Sequence, residues 1–207
     1  MSSVFDPSAQ HGDVDAKVVA ALERLGQVFR LLLRERAQER DLSPIGAQFL
    51  VYLRYHDVEL RRVSQLAREF GLTQATVSDA VDSLEAKGLI GRERWPEDGR
   101  VVTLRLTPEG ELLAMELSTW ADPIKEHLRG SSPEESEVVL RFLMRLIGSL
   151  QRSGVITVAR MCLTCRFFQP DAHPGAEAPH QCGLLKVPLA ASDLRIDCPE
   201  HELAIER

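Results

Sequence analysis

Cysteine is missing from the first 161 residues of this 207-residue chain. That absence excludes a disulfide framework or a thiolate metal site from most of the molecule. Long hydrophobic runs are missing too. No apolar stretch approaches the roughly 18–20 residues that a membrane span needs, and the longest candidates are interrupted by Arg or Glu. The opening Met1-Ser-Ser-Val-Phe-Asp lacks the basic and apolar regions of a secretory signal, so a reducing cytoplasm is the expected compartment. An excess of positive charge is absent: 25 Lys and Arg face 31 Asp and Glu, for a net charge of −6. Residues 61–106 carry eight basic and seven acidic side chains, a net of about +1. Bulk electrostatic attraction to nucleic acid is therefore excluded, and any such contact must rest on where a few arginines sit. The sequence offers no Ser/His/Asp set, no paired carboxylates and no phosphate-binding loop, so no enzyme is expected. No internal repeat is visible.

What is present is a soluble globular composition, 44% hydrophobic and 27% charged, with enough length for one large or two small domains. The polar stretch 1–12 is expected to fray. From Asp13 to Arg40, Val14, Val18, Leu22, Leu25, Phe29, Leu32 and Leu33 recur at helical spacing, and the breadth of this stripe calls for a partner helix. Ser43-Pro44 starts a second helix that ends near His56. Val63–Phe70 forms a short third helix closed by Gly71, and Thr73 caps a fourth from Gln74 to Lys87, closed by Gly88. Val77, Val81 and Leu84 form its buried stripe. Two short helices joined through a glycine turn read as a helix-turn-helix.

Beyond Gly88 the periodicity changes to that of strands. Leu89–Trp95 and Arg100–Leu106 flank the turn Pro96-Glu97-Asp98-Gly99, which predicts a β-hairpin with arginines about its tip. Thr107-Pro108 starts a helix through Leu113, Leu117 and Trp120, bent at Pro123. Ser132-Pro133 starts another through Val139, Phe142, Leu146 and Leu150, closed at Gly154. Val155–Arg160 reads as a short strand or an extended linker. The fold class is mainly α with a small β wing, divided into an N-terminal arm 1–12, a body 13–154 and an irregular segment 155–207.

The residues Leu66-Ala67, Thr76-Val77-Ser78, Val81-Asp82-Ser83-Leu84-Glu85-Ala86-Lys87-Gly88-Leu89-Ile90, Asp98-Gly99-Arg100 and Leu104-Arg105-Leu106-Thr107-Pro108-Glu109-Gly110 resemble those of a MarR-type winged-helix regulator. The resemblance spans roughly residues 13–153. It implies a homodimer built from the first helix and the last two, with each subunit reading half of a pseudo-palindromic duplex. The helix capped by Thr73 would then enter the major groove. Gln74, Thr76 and Ser78 would offer hydrogen-bonding groups, and Gln suits adenine. Arg92 and Arg94 would meet phosphates, and Arg100, paired with Asp98, would reach the minor groove from the wing. Asp79 departs from the family, which often carries Arg there. An acid beside phosphate repels unless it accepts from cytosine N4.

All four cysteines, Cys162, Cys165, Cys182 and Cys198, lie in the last 46 residues. Together they make a full ligand set for a tetrahedral metal or an iron–sulfur cluster. A zinc ribbon would bring a second Cys-x2-Cys pair, which is lacking. The single third and fourth cysteines, about fifteen residues apart, resemble the arrangement in high-potential iron–sulfur proteins and related small cluster-bearing subunits. Phe167, Phe168, Leu184 and Leu185 would shield such a cluster from water. Zinc is the alternative, with His180 and His201 as substitute ligands, and free or disulfide-bonded cysteines are the third option. His127 and His173 are assigned to solvent.

The expected function is a sequence-specific transcriptional regulator, read as a repressor, whose four-cysteine centre, a 4Fe-4S cluster by preference, senses redox or iron state. The alternative is a regulator answering an aromatic small-molecule effector, with a structural zinc site.

Overall fold

The computed structural model describes residues 3–7, 11–95 and 99–204. Part of the stretch expected to fray lies outside the described residues; within it, the Asp6 amide closes a turn on the Ser3 carbonyl. Helix α1 runs Val14–Gln38, and its N-cap Asp13 accepts from the Ala16 amide at 2.9 Å. Helix α2 spans Pro44–Tyr55, with Ser43 as cap and proline in the first turn. Helices α3 (Val63–Phe70) and α4 (Gln74–Ala86) follow, separated by Gly71 in the left-handed region (φ 62°). A residue with a Cβ is disfavoured in that conformation, which is why glycine closes α3.

Strands β1 (Ile90–Arg94) and β2 (Val102–Leu106) pair antiparallel, with Arg92 opposite Leu104. A 3-10 turn at Val58–Leu60, which has no strong sequence signature, docks on this hairpin: the Leu104 amide donates to the Arg61 carbonyl at 2.7 Å. One hydrophobic core joins these parts. Phe49, Leu50 and Leu53 from α2, Leu66 from α3, Val77 and Val81 from α4, and Leu104 from β2 are all at or near zero exposure. The stripe expected on α4 is the buried one.

The expected bent helix after the wing is instead two helices, α5 (Pro108–Leu117) and α6 (Asp122–Leu128). Pro123 lies in the first turn of α6, where its missing N–H costs nothing, and a turn over residues 118–121 separates the two helices. Helix α7 (Pro133–Arg152) starts with a reciprocal capping box between Ser132 and Glu135.

Val155–Arg160 forms no strand, so of the two readings of this stretch the extended linker holds. Beyond it the proline-rich segment contains a small antiparallel sheet that periodicity did not reveal. Its strands are β3 (Phe168–Gln169), β4 (His180–Cys182) and β5 (Val187–Leu189), in the order β3-β4-β5. Strands of two or three residues are too short to display an alternating pattern. This segment shares a second hydrophobic cluster with α7, formed by Met144, Met161 and Leu194. A Cβ on Gly148 of α7 would meet the Met161 methyl at 3.1 Å and Thr164 Cγ2 at 3.6 Å, so glycine sets how closely the segment lies on the helix.

Candidate nucleic-acid interface and cysteine site

Helix α4 buries one face and presents the other to solvent. Thr73, its N-cap, accepts from the Thr76 amide at 3.1 Å, and the two hydroxyls lie 2.9 Å apart. Thr73, Gln74, Thr76 and Asp79 are exposed, and Ser78 is half-buried. The first turn of α4 contains no acidic side chain, which leaves the partial positive charge of its amides uncompensated there.

Arg92, on β1, forms ion pairs with both Asp82 and Glu85 of α4. The Asp82 hydrogen bond, helped by the charge of both carboxylates, raises the pKa of its guanidinium against the opposing effect of burial. The resemblance implied a phosphate contact for Arg92; in the structure its guanidinium is paired with two acids of α4. Arg94 is exposed at the end of β1. Half-buried Trp95 carries the Arg62 guanidinium 6.0 Å from its ring centroid, a packing role. Arg100 is exposed beside Gly99. Asp98, and with it the expected Asp98–Arg100 pair, lies outside the described residues.

The four cysteines come from separate parts of the segment. Cys162 opens a 3-10 turn, Cys165 closes it, Cys182 ends β4, and Cys198 follows the final 3-10 turn Ala191–Asp193. All four are free and half-buried, and all four line one small apolar cavity together with Phe167, Phe168, Leu184, Leu185 and Leu189. The hydrophobic quartet expected as a shield is thus part of the wall.

Donors point at the sulfurs. The Arg195 amide lies 3.2 Å from Cys162 Sγ, the Leu185 amide 3.5 Å from Cys182 Sγ, and Arg195 Nη1 3.6 Å from Cys198 Sγ. Burial raises the pKa of Cys162 and Cys198, and Glu200, 3.2 Å from Cys198 Sγ, adds to the second. Among the described residues no three His, Cys, Asp or Glu side chains converge closely enough to hold one metal ion. His201 Nε2 is taken up by Thr164 Oγ1 at 3.0 Å, and His180 Nδ1 accepts from the Asp171 amide at 3.1 Å. His127 and His173 are exposed.

A group that sequence reasoning missed joins the cysteine segment to the helix-turn-helix. Arg160 Nη1 donates to Glu69 of α3 and Nε to Asp197, both at 2.8 Å. His56, at the end of α2, donates through Nδ1 to the Tyr52 carbonyl, and its Nε2 lies 2.8 Å from Asp197 and 2.9 Å from Arg160 Nη2. The Tyr52 ring stacks on His56 with centroids 3.8 Å apart. Burial alone would raise the Asp197 pKa, but the His56 and Arg160 contacts outweigh it and hold the carboxyl down at about 2. Burial also opposes the Arg160 charge, and the Asp197 and Glu69 carboxylates more than offset that. These partners lie 37 to 141 residues apart in sequence, and no local pattern announces them.

A groove of about 690 Å³ opens between α1 and α2, lined by Phe29, Leu33, Arg34, Ile45, Gln48 and Trp120. Among the described residues no helix is long and apolar enough to cross a membrane.

Capped helix, glycine turn, exposed second helix and β-hairpin together define a winged helix-turn-helix. The model of the MarR family matches residues 56–102, from the end of α2 into the wing. Among solved structures, the transcriptional regulator PA3341 is 25% identical, with a TM-score of 0.58 over 65% of this chain and 98% of that one. MepR of S. aureus, in complex with DNA, is 24% identical, with a TM-score of 0.56 over 64% of this chain and 96% of that one. A MepR mutant from a multidrug resistant S. aureus clinical isolate gives 23% and 0.53 over 65% and 97%. Each of these chains is matched almost end to end, while about a third of this chain extends beyond the shared fold.

Proposed function

We propose that this chain is a dimeric MarR-type transcriptional regulator, read as a repressor, whose four cysteines hold an iron–sulfur cluster, 4Fe-4S by preference, that reports iron or redox state. DNA binding is supported by the exposed first turn of α4, by the family match over residues 56–102, and by the DNA complex of the similarly folded MepR. Thr73, Gln74, Thr76, Ser78 and Asp79 face the duplex from α4, and Arg94 and Arg100 approach it from the wing. A second copy of the chain is the partner for the apolar residues left exposed on α1 (Val19, Leu25, Val28) and α7 (Val138, Val139, Phe142).

The observation that carries the cluster is the ring of four thiols around one apolar cavity. A single zinc ion requires sulfurs about 2.3 Å from a common centre, and hence mutually close. A cluster accepts its ligands at wider separation than a single ion does, and all four cysteines line one cavity. The amides directed at Cys162 and Cys182 supply the N–H···S bonds that tune cluster potentials, and the aromatic and leucine wall limits water.

The test is anaerobic reconstitution followed by iron, sulfide and zinc analysis and a visible spectrum, with DNA affinity measured for loaded and stripped protein. About four iron and four sulfide per chain, with an affinity difference, is expected. Colourless protein carrying one zinc overturns the cluster and leaves a structural metal. The groove beside Phe29 and Trp120 favours one second reading, an aromatic effector bound between α1 and the winged helix. A thermal-shift screen with planar aromatic compounds that raises the melting temperature of the wild type, and not of a Phe29→Arg variant, would support it.

A further inference from the structure

The cysteine segment is wedged between two parts of the body. On one side Met161 and Leu194 pack on α7 at Met144. On the other, Arg160 and Asp197 grip the ends of α2 and α3 through His56 and Glu69, and Thr157 Oγ1 donates to the Arg68 carbonyl at 2.7 Å. The two gripping residues are neighbours of two proposed cluster ligands. Asp197 directly precedes Cys198, and Arg160 lies two positions before Cys162. Their backbones are cross-linked as well: the Cys198 amide donates to the Arg160 carbonyl at 2.8 Å, and the Cys162 amide to the Arg195 carbonyl at 3.0 Å.

We propose that Arg160 and Asp197 form a strut through which occupancy of the four-cysteine cavity positions the helix-turn-helix. The inference rests on the cluster reading above and adds its route of action. A group bound to Cys162 and Cys198 fixes the separation of the two extended stretches that carry Arg160 and Asp197. It thereby fixes the fork that holds His56 and Glu69. Glu69 lies in the last turn of α3, four residues before the cap of the recognition helix, and α3 packs on α4. When the cavity is empty only the two backbone hydrogen bonds hold the stretches together, the fork is less firmly fixed, and α3–α4 loses part of a restraint that the winged-helix core does not supply. Arg160 is well placed for this role. It is only 14% exposed and meets two carboxylates from different elements, and a buried charge of this kind holds position at high cost to any displacement.

The strut is cut from the winged-helix side by the double substitution His56→Ala/Glu69→Ala, which leaves the Arg160–Asp197 pair and all four cysteines in place. Hydrogen exchange of the amides in residues 63–86 is compared between anaerobically loaded and stripped protein, and iron content is measured on the same samples. In the wild type the loaded form is expected to exchange about fivefold more slowly or better, the lower end of ordinary coupling between sites. In the double variant the two forms should exchange alike while iron per chain equals that of the wild type. The single Glu69→Gln variant preserves side-chain volume and should give an intermediate difference, which separates loss of the strut from misfolding. A loaded-versus-stripped difference that survives the double substitution overturns the strut and leaves the cluster reading intact. Equal exchange in loaded and stripped wild type also overturns the strut, and iron content then judges the cluster separately. A wild type that takes up no iron removes both.

Discussion

Arg92 illustrates how a residue's chemistry depends on neighbours that its own position does not reveal. Its place on β1 beside α4 suits the proposed phosphate contact, yet Asp82 and Glu85 hold its guanidinium. The acids are 62% and 39% exposed, so the pairs contribute little to stability, but they keep negative charge close to where a DNA backbone would run. Replacing Asp82 and Glu85 together by Ala should therefore leave the fold intact and raise affinity for duplex DNA. The released Arg92 should steepen the dependence of log affinity on log salt by about 1. An unchanged slope would remove Arg92 from the interface. The same acids account in part for a winged helix that carries almost no net charge, and in the proposed complex local pairing, not composition, decides which arginines can meet phosphate.

At the scale of elements, the junction between the wing and α5 depends on one glycine. Thr107 caps α5 by accepting from the Gly110 amide at 3.0 Å and donates its hydroxyl to the Gly88 carbonyl at 2.7 Å. A Cβ on Gly110 would lie 1.9 Å from the Leu89 carbonyl oxygen, a backbone atom that cannot swing away. The Leu-Thr-x-x-Gly run after the wing thus has a steric reason. Gly110→Ala should destabilise the protein by about 3 kcal/mol or more, seen as a lower chemical-denaturation midpoint. A loss below about 1 kcal/mol would mean that α5 can shift away from the wing freely. The starts of α2, α4, α5 and α7 were legible because capping is local: Ser43, Thr73, Thr107 and Ser132 each accept from an amide three residues ahead. The sheet of the cysteine segment was not, because its strands are joined by irregular stretches and are too short to carry a pattern.

At the scale of the whole molecule, the described residues form two hydrophobic clusters and leave a set of apolar side chains that neither cluster covers. In the proposed dimer those on α1 and α7 are buried against a second copy, and each copy presents one α4 to successive turns of a duplex. Phe142→Glu combined with Val139→Glu should convert the protein to a monomer by light scattering and lower DNA affinity at least tenfold, since a half-site alone is held weakly. A dimer that persists would move the interface elsewhere. Cys162, Cys165, Cys182 and Cys198 show the other limit of sequence reading. Their number and clustering were plain, and so were the four hydrophobic residues that wall them. Their place between α7 and the helix-turn-helix was not.

By itself the sequence determined what is encoded within a few residues of chain. Helix periods, caps, glycine stops, the hairpin and the crowding of four thiols at one end all arise from local sterics, hydrogen bonding and side-chain type. Only the tertiary structure decided which distant groups meet. It set Arg92 against two acids, gathered four cysteines around one cavity, and joined Arg160 to Glu69, Asp197 and His56 across 37 to 104 residues of sequence. The reason is physical: a capping bond needs partners already held close by the chain, whereas a charge network forms only after burial of two hydrophobic clusters has brought separate elements together.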